Sequence, residues 1–180
     1  MLLFQANQSL NLHYLCKVAR IGLILGSNLD GKFNYLNCAI ALLKENVGEV
    51  KLVSSLYASP PWGYKSENEY INQVLVIETD KTPIELLEKN LLIEKVLGRE
   101  RSENGYTDRT IDIDILFYED EVMIETRLVL PHPRLHMRKF CLLPLQEVLP
   151  NWFHPQLNLN VSKLISICED KSDLRKIDSI

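Results

Sequence analysis

Thr110-Ile-Asp-Ile-Asp-Ile115 alternates apolar and acidic residues with the two-residue period of a β-strand. Side chains alternate faces along a strand, so Ile111, Ile113 and Ile115 share one face and Asp112 and Asp114 the other. The rise per residue puts the two aspartates about 7 Å apart at the backbone. Their oxygens can converge on a pair of divalent ions roughly 3.5–4 Å apart. Oxygen-only ligands suit magnesium, which keeps waters and binds substrate phosphates as well. The plain alternative is a half-solvated strand whose polar face is acidic. Two features weigh against it. Aspartate is a poor strand former, so two in a strand interior need a reason. The surroundings are also cationic: Arg99, Arg101 and Arg109 precede the pair, and Arg127, Arg134 and Arg138 follow it. Arginine clamps phosphate bidentately, and a metal–nucleotide complex requires both kinds of group.

Upstream, residues 20–25 form a short apolar run ending at Gly26, the pattern of a buried strand. Phe33, Leu36, Ile40, Leu43 and Val47 recur at helical spacing over residues 31–47, with Asp30 as N-cap and Gly48 closing the helix. A strand over 50–57, a loop over 58–69 and a strand over 70–78 follow. Thr82-Pro83-Ile84-Glu85 combines an N-cap threonine, a first-turn proline and a capping-box glutamate, and its helix runs to Leu97 before Gly98. The polar loop 99–108 leads into the strand over 110–117. The order β-α-β-β-α-β is the ferredoxin-like α+β arrangement, an antiparallel sheet flanked by helices. Beyond it, Glu119-Asp120 predicts a tight turn joining 115–118 to 122–124 in an added hairpin, and 127–130 extends the β region. Residues 134–149 look helical with Pro144 as an interruption, 161–167 a last short helix, and the final residues a polar tail. The expected organisation is an extension over 1–19, one domain over 20–155 and a tail over 156–180.

The 180 residues are enough for one domain with a full core, and 46% apolar with 24% charged residues is ordinary for a globular protein. A formal net charge of -4 argues against a general nucleic-acid binder. Cys16, Cys38, Cys141 and Cys168 form no CxxC pair, which excludes zinc-ribbon and thioredoxin-like readings and suits reduced thiols of a cytoplasmic protein. No segment has the length and apolarity to span a bilayer, and residues 1–20 lack the basic start of a signal peptide. Gly26-Ser-Asn-Leu-Asp-Gly31-Lys32 imitates a phosphate-binding G-x-x-x-x-G-K loop, but Phe33 stands where that motif needs a hydroxyl for magnesium. A strand-to-helix turn is the preferred reading.

Further segments add specificity: Leu25-Gly-Ser-Asn-Leu29, Ser54-Ser-Leu-Tyr-Ala-Ser-Pro-Pro61, Glu69-Tyr-Ile-Asn-Gln73, Ile93-Glu94 ahead of Gly98-Arg99, Arg109-Thr-Ile-Asp-Ile-Asp-Ile115, and Leu130-Pro-His-Pro-Arg-Leu-His136. In this order and spacing, over residues 20–155, the sequence resembles the 6-hydroxymethyl-7,8-dihydropterin pyrophosphokinase family of folate biosynthesis. The resemblance implies transfer of pyrophosphate from ATP to the pterin alcohol, with AMP released. It implies two magnesium ions on Asp112 and Asp114, and Arg99 and Arg109 as catalytic arginines flanking a lid that closes over the substrates. Glu94, Arg101, Tyr106, Arg109, Ile115, Arg127, His132 and Arg138 then correspond to the nucleotide side. Ser59, Pro60, Trp62, Tyr70, Asn72 and Phe140 correspond to the pterin pocket. A flat polar heterocycle wants an aromatic sandwich, such as Phe140 with Tyr70 or Trp62, and an amide such as Asn72 for its edge. Read without the resemblance, Tyr70 and Phe140 are equally core aromatics, Asn72 a solvated strand residue and His132 a turn residue.

The sequence departs from the family pattern in places. Thr107-Asp108-Arg109 replaces a frequent Gly-Pro-Arg, Tyr106 stands where some members have tryptophan, and Leu91 replaces a polar residue. Asp108 is expected to repel phosphate or to reshape the loop. The expected state is a cytoplasmic monomer. The rival readings are another magnesium-dependent phosphohydrolase and a non-catalytic nucleotide-binding ferredoxin-like module.

Overall fold

A computed structural model of the chain describes residues 18–100 and 107–177. Strand β1 (Ala19–Ser27) lies between β4 (Tyr70–Thr79) and β5 (Asp112–Tyr118) and pairs antiparallel with both. The far side of β4 carries β2 (Glu49–Val53) and β3 (Leu56–Ser59). With α1 (Lys32–Asn46) and α2 (Pro83–Val96) between the strands, this is the ferredoxin-like order. It is completed by β6 (Met123–Ile124) and β7 (Val129–Leu130), a 3-10 turn Leu135–Met137, α3 (Lys139–Val148), β8 (Phe153–His154), β9 (Leu159–Asn160), α4 (Val161–Ile167) and β10 (Arg175–Ile177).

From Ile21 to Gly26, β1 is an unbroken apolar run because both of its faces are covered. On one face, Leu36, Ala39 and Leu43 of α1 and Leu86 and Ile93 of α2 share a core with Ile21, Leu23, Leu25, Ile113 and Ile115. On the other, Leu142 and Leu145 of α3 and Leu164 of α4 pack with Ile24, Val74, Leu116, Phe117 and Trp152. Phe117 and Trp152 stack with ring centroids 5.0 Å apart.

Several local expectations are revised. Asp30 does not cap α1; the N-cap is Gly31 at φ 82, with no side-chain hydrogen bond. The expected strand over 50–57 is two strands, because Ser54 uses both its N–H and its Oγ on Val74 and the chain bends there. The turn at 119–120 exists, but Glu119 turns its N–H and its carboxylate to the backbone of Arg20. The chain therefore leaves β5, and the hairpin forms between β6 and β7 instead. Pro144 lies inside α3, and the interruption falls at Arg138, whose extended backbone separates the 3-10 turn from the helix. The polar end of the chain contributes Arg175–Ile177 as a strand on β3.

Two helix ends follow the sequence closely. Thr82 and Glu85 form the capping box of α2, both of its hydrogen bonds present. Gly98, in the left-handed region at φ 79, lets its own N–H reach the Lys95 carbonyl and that of Arg99 reach the Glu94 carbonyl. This end positions Arg99 beside α2. Gly48 is required for another reason: a Cβ there would lie 2.1 Å from the Glu78 carbonyl oxygen of β4. Backbone cannot swing aside as a side chain can, so Gly48→Ala should lower the unfolding free energy by about 1–3 kcal/mol. An unchanged urea midpoint would show that β4 yields at no cost.

Candidate active site

The register of β1 sets out the site. Gly26 is the neighbour of Asn72 on one side and of Asp112 on the other, and Ile24 stands likewise between Val74 and Asp114. Asn72, Gly26 and Asp112 thus form a row across three strands, and the outer two lie about 10 Å apart at the backbone. Gly26 keeps the middle of the row low. A Cβ there would lie 3.2 Å from Asn72 Oδ1 and 3.4 Å from Tyr70 Cδ1. Above the row is an open cleft lined by polar, charged and aromatic side chains. Asp112, Asp114, Arg99, Arg109, His132 and Arg138 line one part, and Ser59, Pro60, Trp62, Tyr70, Asn72 and Phe140 the other.

The acidic part is tightly paired. Arg99 bonds both Glu94 and Asp112, and Arg109 reaches the second Asp112 oxygen at 3.0 Å. Glu94 is buried and accepts the Ile113 N–H at 2.8 Å, so it braces Arg99 and the backbone of β5 together. Asp114 is compensated more loosely, with His132 Nε2 and an Arg138 nitrogen each 3.8 Å from its Oδ2. Desolvation at the cleft floor, and then the adjacent Asp112 carboxylate, push the Asp114 carboxyl well above the usual carboxylate range. Burial, with Arg138 and Arg134 nearby, holds His132 down at about 4, so its ring is neutral at pH 7. His132 Nδ1 accepts the Arg134 N–H at 3.1 Å, which leaves the proton on Nε2, toward Asp114.

The donor set fits magnesium of a particular kind. No group of three or more acidic, histidine or cysteine ligands occurs among the described residues, so this is no all-protein cage. One or two carboxylates with substrate phosphates is how magnesium is usually bound, and Asp112 with Asp114 supply that.

The other part of the cleft is aromatic and polar. Asn72 spends its amide hydrogens on Ser59 Oγ at 2.9 Å and the Tyr57 carbonyl at 3.3 Å, and its Oδ1 lies beside Gly26. The Arg138 guanidinium lies 4.7 Å from the Trp62 ring centroid and 5.5 Å from that of Phe140. A flat cation thus occupies space beside two rings expected to take a flat heterocycle. Arg138 is 6% exposed and its Nε has no hydrogen-bond partner among the described residues.

Three expected nucleotide contacts do not line the cleft. Glu94 is engaged beneath it. Ile115 belongs to the helix-side core, on the face opposite the aspartates. Arg127 is at the surface, paired with Glu88 of α2 at 3.1 Å. Arg101 and Tyr106, and most of the loop expected to close, lie outside the described residues. Tyr64 and Arg134 line the cleft without having been assigned to it. Arg134 was visible as part of the cationic surroundings, whereas nothing local to the sequence marks Tyr64. Lys32, the lysine of the apparent phosphate loop, donates to the Glu69 carbonyl at 3.0 Å.

A profile of the 7,8-dihydro-6-hydroxymethylpterin-pyrophosphokinase family matches residues 22–150. The chain belongs to this family. It is 37% identical over 142 residues to the 2-amino-4-hydroxy-6-hydroxymethyldihydropteridine pyrophosphokinase of Porphyromonas gingivalis, a match spanning 77% of this chain and 96% of that one. The same-named protein of Aquifex aeolicus is 42% identical over 139 residues, with 77% and 85% covered. Among solved structures, wild-type Plasmodium falciparum HPPK-DHPS with pteroate superposes with a TM-score of 0.70 at 17% identity, over 83% of this chain. That likeness concerns the fold, and this chain spans only 44% of the larger protein.

Removing one partner of a buried ion pair costs about 3–5 kcal/mol, so Glu94→Ala should destabilise the fold by that order although Glu94 does not line the cleft. A loss below about 1 kcal/mol in chemical denaturation would show that Arg99 and β5 are held by other means.

Proposed function

We propose that Asp112 and Asp114 hold two magnesium ions that enter with ATP, that the arginines around them take the phosphates, and that the aromatic part of the cleft takes the pterin. The chain is a pyrophosphokinase that transfers the pyrophosphoryl group of ATP to the hydroxymethyl group of 6-hydroxymethyl-7,8-dihydropterin in folate synthesis, with AMP as the second product. The observation that carries the site assignment is the row Asn72–Gly26–Asp112, which joins an aromatic-lined pocket to a carboxylate pair in one cleft. A phosphohydrolase has no use for that pocket.

Bound there, magnesium neutralises phosphate oxygens and lowers the pKa of a neighbouring hydroxyl. Arg99 and Arg109 stand where negative charge on the transferred group needs a counterion, and both are fixed in place before substrate arrives. Arg138 adds a further positive charge to the same wall of the cleft, 3.8 Å from Asp114. Asn72 presents Oδ1 to a ring N–H, and Tyr70 and Phe140 offer faces for stacking. The proposed acting form is a monomer. The free thiols of Cys38, Cys141 and Cys168 suit a reducing, cytoplasmic setting.

The decisive assay is AMP release from ATP, magnesium and the pterin alcohol. Asp112→Ala and Asp114→Ala should each lower turnover by about 10²-fold or more with the far-ultraviolet spectrum intact. Near-normal rates in both would reject the metal assignment. Arg109→Ala should lower kcat by about 10³-fold. An effect confined to KM would make Arg109 a ground-state contact only.

A further inference from the structure

Asp108 borders the cleft, and the reaction as described gives it no task. Its side chain is half-buried, and its two oxygens accept four hydrogen bonds. Asn28 Nδ2 at 2.7 Å and the Tyr64 hydroxyl at 3.0 Å bind one oxygen. Ser66 Oγ at 2.8 Å and Asn68 Nδ2 at 2.6 Å bind the other. Burial raises the carboxyl pKa, but the bonds from Asn68, Asn28, Ser66 and Tyr64 outweigh it and hold the pKa below the ordinary value. At neutral pH the group is an ionised acceptor on which all four donors converge.

The donors come from two segments distant in sequence. Tyr64, Ser66 and Asn68 belong to the irregular loop 60–69, which also carries Pro60 and Trp62 into the cleft. Asn28 follows β1, accepts the Arg109 N–H on its Oδ1 at 2.8 Å, and donates its own N–H to the Arg109 carbonyl at 3.3 Å. Tyr64 continues the chain of bonds to the Tyr70 hydroxyl at 2.8 Å. The carboxylate thus ties the loop of the pterin wall to the backbone that carries Arg109 and enters β5.

We propose that Asp108 is a positioning residue that fixes the 60–69 loop against β5 and so sets the opening of the pterin pocket. The assignment rests on the pterin reading of that wall. Asp108→Ala removes all four acceptor contacts. Its KM for the pterin should rise about tenfold or more, the equivalent of one charged hydrogen bond, while its KM for ATP changes less than about threefold. Amide hydrogen exchange should quicken in residues 60–69 and stay unchanged in β1 and β4. Asp108→Asn keeps the size and one acceptor oxygen but turns an amide N–H₂ toward two donors, so it should recover only part of the loss.

Equal rises in both KM values, or unaltered exchange in 60–69, would overturn the proposal. If Asp108→Ala does not fold, the double variant Ser66→Ala/Asn68→Ala removes two of the donors from the loop side. It should quicken exchange in 60–69 and raise only the pterin KM, and no change in either would overturn the proposal equally. The exchange measurement needs no substrate. A wild-type chain without pterin-dependent AMP release would therefore sink the functional reading, while the loop anchoring is still decided by exchange.

Discussion

The antiparallel register of β1 against both of its neighbours is the constraint on which the rest depends. A strand slipped by one residue turns every side chain to the opposite face. Here that would carry Asp112 and Asp114 into the apolar layer under α1 and α2 and bring Ile113 and Ile115 into the cleft. The register is held by burial on both faces, since Ile21, Leu23 and Leu25 belong to one core and Ile24 to the other. Functional geometry and core packing are therefore fixed by the same pairing. The polar groups stand only where the helix-covered second face gives way to the cleft.

This explains which features could be read from sequence. The alternation over 110–115, the capping box at Thr82 and the stop at Gly98 are local signals, each carrying its physical cause within a few residues. What was not legible depends on partners far along the chain. The hairpin expected after β5 is displaced because Glu119 bonds Arg20, ninety-nine residues away. Gly48 looks like a left-handed helix cap, but its lack of a side chain answers to the carbonyl of Glu78. Asp108 reads in sequence as an ill-placed negative charge, and its four donors lie 40 to 80 residues upstream. For the site, the lining part of the expected set is on β3, β4, β5, the 60–69 loop, the positions 99 and 109 that lead into β5, and the stretch 132–140, where alternation or a compact motif exposed it. Glu94, Ile115 and Arg127 differ because burial, face and surface pairing are settled only by the three-dimensional packing.

The two halves of the cleft are built on different principles. The side proposed for the pterin is held mostly by neutral hydrogen bonds, Asn72 to Ser59 and Tyr70 to Tyr64, with Tyr64 tied onward to the Asp108 carboxylate. Neutral groups held at fixed distances discriminate among heterocycles by leaving a mismatched partner unpaired, and such discrimination is strong. The side proposed for the phosphates is made of charges that already have partners, Arg99 and Arg109 on Asp112.

That pairing makes an exchange of partners inexpensive. A buried charge without a counterion is costly, whereas one that trades one counterion for another loses little. On the proposed reading, cations held by the carboxylates would leave the guanidinium groups to phosphate oxygens, so that the paired charges would keep partners in either condition. Glu94 keeps Arg99 anchored throughout, because its carboxylate is bound to the Ile113 N–H beneath the cleft and takes no part in the exchange. Arg138 follows the same logic in a softer form. Its cation rests against the rings of Trp62 and Phe140 and only 3.8 Å from Asp114, contacts weak enough to be given up to an arriving anion. The carboxylates of the cleft thus have cationic partners before substrates arrive, and on the proposed reading its specificity resides in which of those pairings a ligand can replace without leaving a buried charge unpaired.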